Sequence, residues 1–435
     1  MCYNPINNKK GREIMDKLLY ETYLKILHSE LIPAMGCTEP IAIAMTAAKA
    51  KEYMDEDITS VSVCVSANII KNVKSVMVPN TGGLRGIESA AAAGIVAGNP
   101  NKELEVLADI TPQQQAQISQ FIKNTPISVS EAEGSRVLDI GITIKGKTKT
   151  VFARTAQHHT GLCLIQVNGT TVYEKPIEEN AGDIDHSVLT IADIIDFADT
   201  ANIDDVKELL DRQINYNTAI AQEGLTGKYG AAIGRTLLMS YGNTVHNRAK
   251  AWAAAGSDAR MNGCELPVVI NSGSGNQGMT ASLPVIVYAK ELGVSQDLLY
   301  RALLVSNLTT IHLKTGIGCL SAYCGAISAG CGAGAGVMYL HGGKLNEIAH
   351  TLVNALAINS GVVCDGAKAS CAAKIASAVE SGLLGMQMYM HGKEFYKGDG
   401  IVAGGVEATI KNVGRLAQSG MAETDKEIIR IMLKK

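Results

Sequence analysis

Cysteine is the residue type in this chain with the most chemistry to offer. Ten are present, and six fall in the C-terminal half: Cys264, Cys319, Cys324, Cys331, Cys364 and Cys371. None of them form a C-x-x-C pair, which disfavours a zinc ribbon and a two-cysteine redox motif. Cys364 and Cys371 are two helical turns apart, but Asp365-Gly366 interrupts regular helix between them. Three or four thiolates gathered from separate segments suit an iron–sulfur cluster with one iron left open. Buried structural thiols are the plain alternative. Cys37 differs from the rest. It lies in Ala34-Met35-Gly36-Cys37-Thr38-Glu39-Pro40, a glycine turn that enters a helix. Backbone N–H groups and the positive helix end there lower a thiol pKa and can hold an anion. Cys2, Cys64 and Cys163 sit in a frayed terminus or in strand patterns and read as small buried hydrophobes.

Other polar clusters stand beside these thiols. Asn271-Ser272-Gly273-Ser274-Gly275-Asn276-Gln277-Gly278 is a loop before a helix that can offer N–H groups and amides to a carboxylate or phosphate. It is neither a Walker A nor a dinucleotide fingerprint, so a nucleotide is not supported. Arg260, shortly before it, can fork onto a carboxylate or form a surface salt bridge. His158 and His159 begin a strand and face opposite ways, so they cannot share one metal. His312 and Lys314 adjoin the cysteine-rich stretch.

The elements that must position these groups change character along the chain. Helices are expected over 13–28 and 41–51, the second opened by Thr38-Glu39-Pro40. Alternation begins at Ile58, and an Ala-rich helix covers 88–96. Strands are expected at 104–110, 126–133 and 136–152, with a hairpin turn at Lys145-Gly146-Lys147. Two more lie between Ala153 and Glu174, joined at Asn168-Gly169. From Leu189 the pattern is helical: 189–199, 203–222, 226–256, 279–291, 295–308, 345–360, 366–383 and 403–433. The fold class is therefore α+β. A mixed N-terminal domain (1–190) precedes an all-helical C-terminal catalytic domain (191–435), with the polar stretch 178–183 as linker. No solenoid repeat is visible.

Composition narrows the function classes. Apolar residues make up 46% and charged residues 19%, which excludes a disordered chain. A net charge of −3 and a pI near 6.3 disfavour nucleic acid as a partner. With 4 Phe, 14 Tyr and 1 Trp against 44 Gly, the core must be packed by aliphatic side chains, with helices in close approach. Thr315 to Leu340 carries no charge, but its glycines and small polar residues make it a buried helix and loop rather than a membrane span. Met1 to Thr22 has scattered charges and no apolar signal core, so a cytoplasmic protein with reduced thiols is expected.

Taken together, these motifs resemble the iron–sulfur L-cysteine desulfidase family, relatives of the iron–sulfur L-serine dehydratases. The resemblance rests on Met35 to Pro40, Asn271 to Gly278, Lys314 to Cys324, and Val363-Cys364-Asp365-Gly366-Ala367-Lys368-Ala369-Ser370-Cys371, in the family's order over nearly the whole chain. The dehydratase catalytic domain is similar to the second half: its Asn-Gly loop matches Asn271 to Pro284, and its cluster cysteines match Cys324, Cys364 and Cys371. The gap between Cys364 and Cys371 is shorter here than in the dehydratases.

The resemblance implies β-elimination without pyridoxal phosphate, taking L-cysteine to sulfide, pyruvate and ammonia. It implies a [4Fe-4S] cluster held by Cys324, Cys364 and Cys371, and gives Cys37 a role as a further ligand or a catalytic thiol. Asn271, Ser272, Ser274 and Asn276 would grip the substrate, with Thr38 and Glu39 beside them. Arg260 would be a counter-charge, and Lys368 a counter-charge with a catalytic role. Cys319 and Cys331 stay structural. The expected partner is a small amino acid, with neither nucleic acid nor membrane; a homo-oligomer is left open. A serine dehydratase using the same cluster, and a non-catalytic thiol or cluster protein, are the alternatives.

Overall fold

The computed structural model describes residues 15–36, 38–134, 136, 138–177, 184–318 and 321–433. Cys2, Cys37, Cys319 and the expected linker 178–183 lie outside the described residues. The chain is α+β. Its first part runs α1 (Lys17–Glu30), β1 (Pro33–Met35), α2 (Thr38–Lys51), β2 (Ser60–Val65), α3 (Ala67–Val73), α4 (Gly86–Ala97), α5 (Pro112–Asn124), β3 (Ile127–Glu131), β4 (Asp139–Lys145), β5 (Thr150–Ala156), β6 (Leu162–Val167) and β7 (Thr170–Glu174). The second part is helical apart from one short strand: α6 (Ile191–Thr200), α7 (Lys207–Gly224), α8 (Ile233–Tyr241), α9 (Val245–Met261), β8 (Pro267–Val269), α10 (Gly275–Leu292), α11 (Gln296–Thr315), α12 (Ala326–Leu340), α13 (Leu345–Ile358), α14 (Cys371–Met390), α15 (Val406–Arg415) and α16 (Ala422–Leu433).

Six strands form one sheet in the order β3-β2-β4-β5-β6-β7, with only β2–β3 parallel. Alternation sets its inner face. Val61, Val63 and Val65 are buried while Ser62 is exposed, and Ile140, Ile142 and Ile144 continue the apolar face. Helices α2 and α4 cover that face. A buried hydrogen bond between the hydroxyls of Thr46 and Thr155 (2.8 Å) ties α2 to β5. Residues 104–110 correct the sequence reading. They form a helical turn at Glu103–Glu105 and further turns instead of a strand. Their run of Leu104, Val106, Leu107 and Ile110 is too short for periodicity to separate the two. The helix α5 that follows starts with a capping box between Thr111 and Gln114 and Pro112 in its first turn.

A second, two-stranded sheet pairs β1 with β8 in antiparallel register, Pro33 opposite Val269. It stitches the start of the chain to the helical part. The other edge of β8 is completed by a side chain: Asn217 Oδ1 accepts from Val269 N (2.9 Å), and Asn217 Nδ2 donates to Val269 O (3.3 Å). This buried amide stands in for a third strand and satisfies backbone groups that burial would otherwise strand.

The uncharged stretch of the sequence becomes α12, every residue of which is buried. Among the described residues no helix is long and apolar enough to cross a membrane. Its glycines let neighbours approach to backbone contact. A Cβ on Gly334 would lie 2.5 Å from Gly382 O on α14, and one on Gly336 would lie 2.9 Å from Ala302 O on α11. The scarcity of aromatic side chains is the compositional trace of this packing. Backbone fills space that rings fill elsewhere.

Candidate functional site

Two groups of side chains meet at the start of α10, α12 and α14. The first is a set of thiols. Tyr323 and Val363 form an isolated antiparallel bridge, with Cys324 N donating to Val362 O (2.8 Å) and Cys364 N to Ala322 O (2.7 Å). Cys324 and Cys364 each follow a bridged residue, so alternation sends both side chains to the same face. There the two thiols act on each other, which lowers Cys364 to about 6 and raises Cys324. Cys364 therefore loses its proton first. Lys71 and Lys314 favour the Cys364 thiolate further.

Cys371 opens α14 close enough for its charge to act on both other thiols. The short gap back to Cys364 is closed by Gly366, whose φ of 93° belongs to the left-handed region. Any Cβ there would also collide with the Lys71 carbonyl. The Cys371 thiol points at Gly366 O (3.7 Å), so the tight turn itself carries the two cysteines to one place.

Cations frame these sulfurs. The side chain of Lys71 is 1% exposed and pairs with Asp425 of α16. Lys374, one turn beyond Cys371, reaches Val363 O (2.6 Å) and Asp365 Oδ1 (2.5 Å), the groups on either side of Cys364. Lys368 pairs with the same carboxylate and donates to Gly366 O (3.3 Å). Burial works against ionisation of Asp365, but hydrogen bonds from the two lysines outweigh it and hold its pKa at about 2. Such a surround favours negative charge on the sulfurs. Among the described residues no three His, Cys, Asp or Glu side chains are gathered as they would be around a single metal ion. A cluster makes a different demand, being gripped by thiolates spaced around its outside, and an all-cysteine donor set is the one iron–sulfur chemistry uses. Cys324, Cys364 and Cys371 supply the donor type that such a group needs.

The second group is polar. Asn271 and Ser274 exchange backbone hydrogen bonds (3.1 Å each), with Ser272 and Gly273 at positive φ between them. This is a two-residue turn of the hairpin kind, which feeds directly into α10. Asn271 is fully buried and spends its amide on Asn307 Oδ1 (3.0 Å), while Ser272 Oγ donates to Asn271 Oδ1 (2.9 Å). Both thus brace the turn. Ser274 is the N-cap of α10 and makes no side-chain cap bond. Asn276 Oδ1 accepts from Arg260 Nη1 (3.2 Å). Arg260 is 4% exposed and packs on Gly275, where a Cβ would strike its guanidinium. Thr38 Oγ1 lies 3.1 Å from Gly273 O and 3.2 Å from Glu39 Oε2, and Asn72 Nδ2 donates to Glu39 Oε1 (3.2 Å).

Three buried polar atoms around this turn have no partner: Arg260 Nε, Gln277 Oε1 and His159 Nε2. An unsatisfied buried group costs about 1–3 kcal/mol, so three at one place mark a site rather than a packing accident. His159 comes from the β5–β6 turn, and its Cε1 would lie 3.6 Å from a Cβ on Gly273. Burial pushes its pKa down, so it is neutral near pH 7. Gln277 joins the two groups. Its side chain rests on Gly325, the residue after Cys324, where a Cβ would come within 2.6 Å of Cδ.

The fold thus brings together Thr38, Glu39, Arg260 and Asn276 on one side, and Cys324, Cys364, Cys371 and Lys368 on the other. Cys37 lies outside the described residues, between Gly36 and Thr38. Sequence reasoning did not single out Lys71, Asn72, His159, Gln277 or Lys374 for this site. Lys374 carried a legible signal, three residues after Cys371 on one helix face. His158 and His159 correct the sequence reading: they lie in the turn between β5 and β6 and not at the start of a strand, so alternation does not apply to them.

Known proteins resemble this chain over most of its length. The family model for the serine dehydratase alpha chain matches residues 101–430. A UPF0597 protein of Desulfitobacterium hafniense is 58% identical over 422 residues, covering 95% of this chain and 97% of that protein. UPF0597 proteins of Lachnoclostridium phytofermentans and Treponema denticola are 49% and 44% identical, each covering at least 95% of this chain and 99% of the relative. The matched segment holds all three site cysteines and the Asn271–Gly278 loop, and the chain belongs to the serine dehydratase alpha chain family.

Proposed function

We propose that this protein is a lyase that carries out β-elimination on L-cysteine, giving sulfide, pyruvate and ammonia, with an iron–sulfur cluster as cofactor. The observation that carries the reading is the pair Cys324 and Cys364, set side by side by the Tyr323–Val363 bridge, with Cys371 and lysines nearby, against a polar turn with unpartnered buried groups. Cys324, Cys364 and Cys371 would hold a [4Fe-4S] cluster. When bound, such a cluster with one open iron supplies a Lewis acid that stabilises charge on the leaving group. The remaining work falls to the chain. Arg260 and Asn276 hold the substrate carboxylate, and Glu39, kept in place by Thr38 and Asn72, faces its ammonium group. Cys37 and Lys368 are the proton carriers of this reading. The Cα–H and Cβ–S bonds break, sulfide leaves with a proton, and 2-aminoacrylate remains; water then converts it to pyruvate and ammonia.

The family's name favours a second reading, elimination of water from L-serine. Protein purified without oxygen decides between them: iron and acid-labile sulfide are measured, and L-cysteine and L-serine are supplied separately while sulfide and pyruvate are followed. Pyruvate from serine with none from cysteine reverses the order. Folded protein without iron sinks both. The free cysteines of the described residues suit a reducing compartment, and we place the protein in the cytoplasm.

A further inference from the structure

We infer that His159 and Arg260 together take the α-carboxylate of the amino-acid substrate while Glu39 takes its α-ammonium, so that the six-stranded sheet contributes to a site otherwise built on helices. The inference deepens the elimination reading and rests on it.

Geometry supports the clamp. Arg260 Nε and His159 Nε2 are both buried and both without an acceptor, and they flank the same segment, Gly273 to Gly275. Arg260 is held by Asn276 through Nη1 only, which leaves Nε as a donor in reserve. A neutral imidazole can place its proton on Nε2, so the pair presents one charged and one uncharged donor. That set matches a carboxylate, which accepts at both oxygens. Glu39 completes a complement to a zwitterion. It lies near enough to His159 to act on its charge, and hydrogen bonds from Thr38 and Asn72 fix its orientation. Lys368 and Lys374, by contrast, are committed to Asp365. Among the described residues no carboxylate is hydrogen-bonded to Arg260 or His159, and the Nε of one and the Nε2 of the other stay buried without a partner.

The test uses ligands that cannot react. L-Alanine keeps both charges and lacks a leaving group; L-alaninamide keeps the ammonium and replaces the carboxylate by a neutral amide; propionate keeps only the carboxylate. Binding is measured by calorimetry on protein purified without oxygen. The wild type should bind L-alanine ~10-fold or more tighter than L-alaninamide, the scale of a hydrogen bond to a charged group. His159→Leu should lower this ratio several-fold while Arg260 keeps part of it, and His159→Gln, which keeps a donor, should restore most of the loss. Glu39→Gln should weaken L-alanine binding and spare propionate. A ratio unchanged in His159→Leu overturns the clamp whatever the turnover, as does a wild type that binds no L-alanine. If the ratio behaves as expected but L-cysteine releases no sulfide, the clamp stands and the desulfidase reading falls. A ratio is insensitive to partial misfolding, because unfolded protein lowers both affinities alike.

Discussion

Helix α12 follows Cys324 almost directly, and α14 begins at Cys371, so the separation of these helices sets the separation of two site thiols. Gly334 controls it. A Cβ there would stand 2.5 Å from Gly382 O, 2.8 Å from its carbonyl carbon and 2.9 Å from its Cα, whereas ordinary contact begins at 3.4 Å. The obstacle is backbone on a buried helix, so no side chain can rotate away. Gly334→Ala therefore forces the helices apart by about 1 Å in an interior that transmits strain. Two effects compete. Alanine gains about 1 kcal/mol in helix propensity over glycine. Overpacking costs about 1–3 kcal/mol, and a backbone-on-backbone clash belongs at the upper end. Overpacking wins, and the net loss should be about 1–2 kcal/mol. Urea unfolding reads that loss, and iron per chain after anaerobic purification reads the effect on the thiols. Iron should fall well below the wild-type content while the protein still unfolds cooperatively. Unchanged stability together with full iron would refute the claim that close approach of α12 and α14 positions the sulfurs.

Three further outcomes are expected. Cys324→Ala and Cys364→Ala should each abolish cluster absorbance, and a variant that keeps full absorbance and rate removes that residue from the ligand set. Lys374→Met should loosen the loop on both sides of Cys364 and lower iron retention, whereas Lys374→Arg should retain it; the lysine is 25% exposed, so the melting temperature should barely move. Asp258 is fully buried, and burial raises it to about 6 although its Oδ2 accepts from Gly234 N at the start of α8. Its folded pKa lies above its unfolded one, so its charge opposes folding at neutral pH and the penalty is relieved as pH falls from about 6 towards 4. Asp258→Asn should flatten that part of the stability–pH curve, by about 3 kcal/mol at most, when urea midpoints are compared at several pH values. Parallel curves for the two proteins would contradict the assignment.

What the sequence reveals follows the range of the interaction involved. Strands β5 and β6 are legible because one covered face forces alternation, and β7, exposed throughout, is legible through its Asn168-Gly169 hairpin turn. The break after Cys364 is legible because Asp-Gly disfavours helix, but the helix expected over 366–383 begins only at Cys371 and runs to Met390. The shortness of that gap looked like a departure from the dehydratases. It is accommodated by a local device, a positive-φ glycine resting on Lys71, which spacing alone cannot show. Residues 226–256 read as one helix but form two, α8 and α9, separated by Gly242 and capped anew at Thr244. The polar side of the site depends on contacts over much longer range. Thr38 meets Gly273 across 235 residues of sequence, and His159 meets the same turn from the sheet. No periodicity encodes such a meeting. It becomes visible only once β1 is paired with β8 and α2 is packed on the sheet. The unpartnered atoms of Arg260, Gln277 and His159 then single out the turn. Each is a local oddity by itself, and their common position is a property of the fold. The glycines of α12 belong to the same logic. In the sequence they raise a question about membranes; in the structure they are the reason that Cys324 and Cys371 can stand close enough to act on one another's charge.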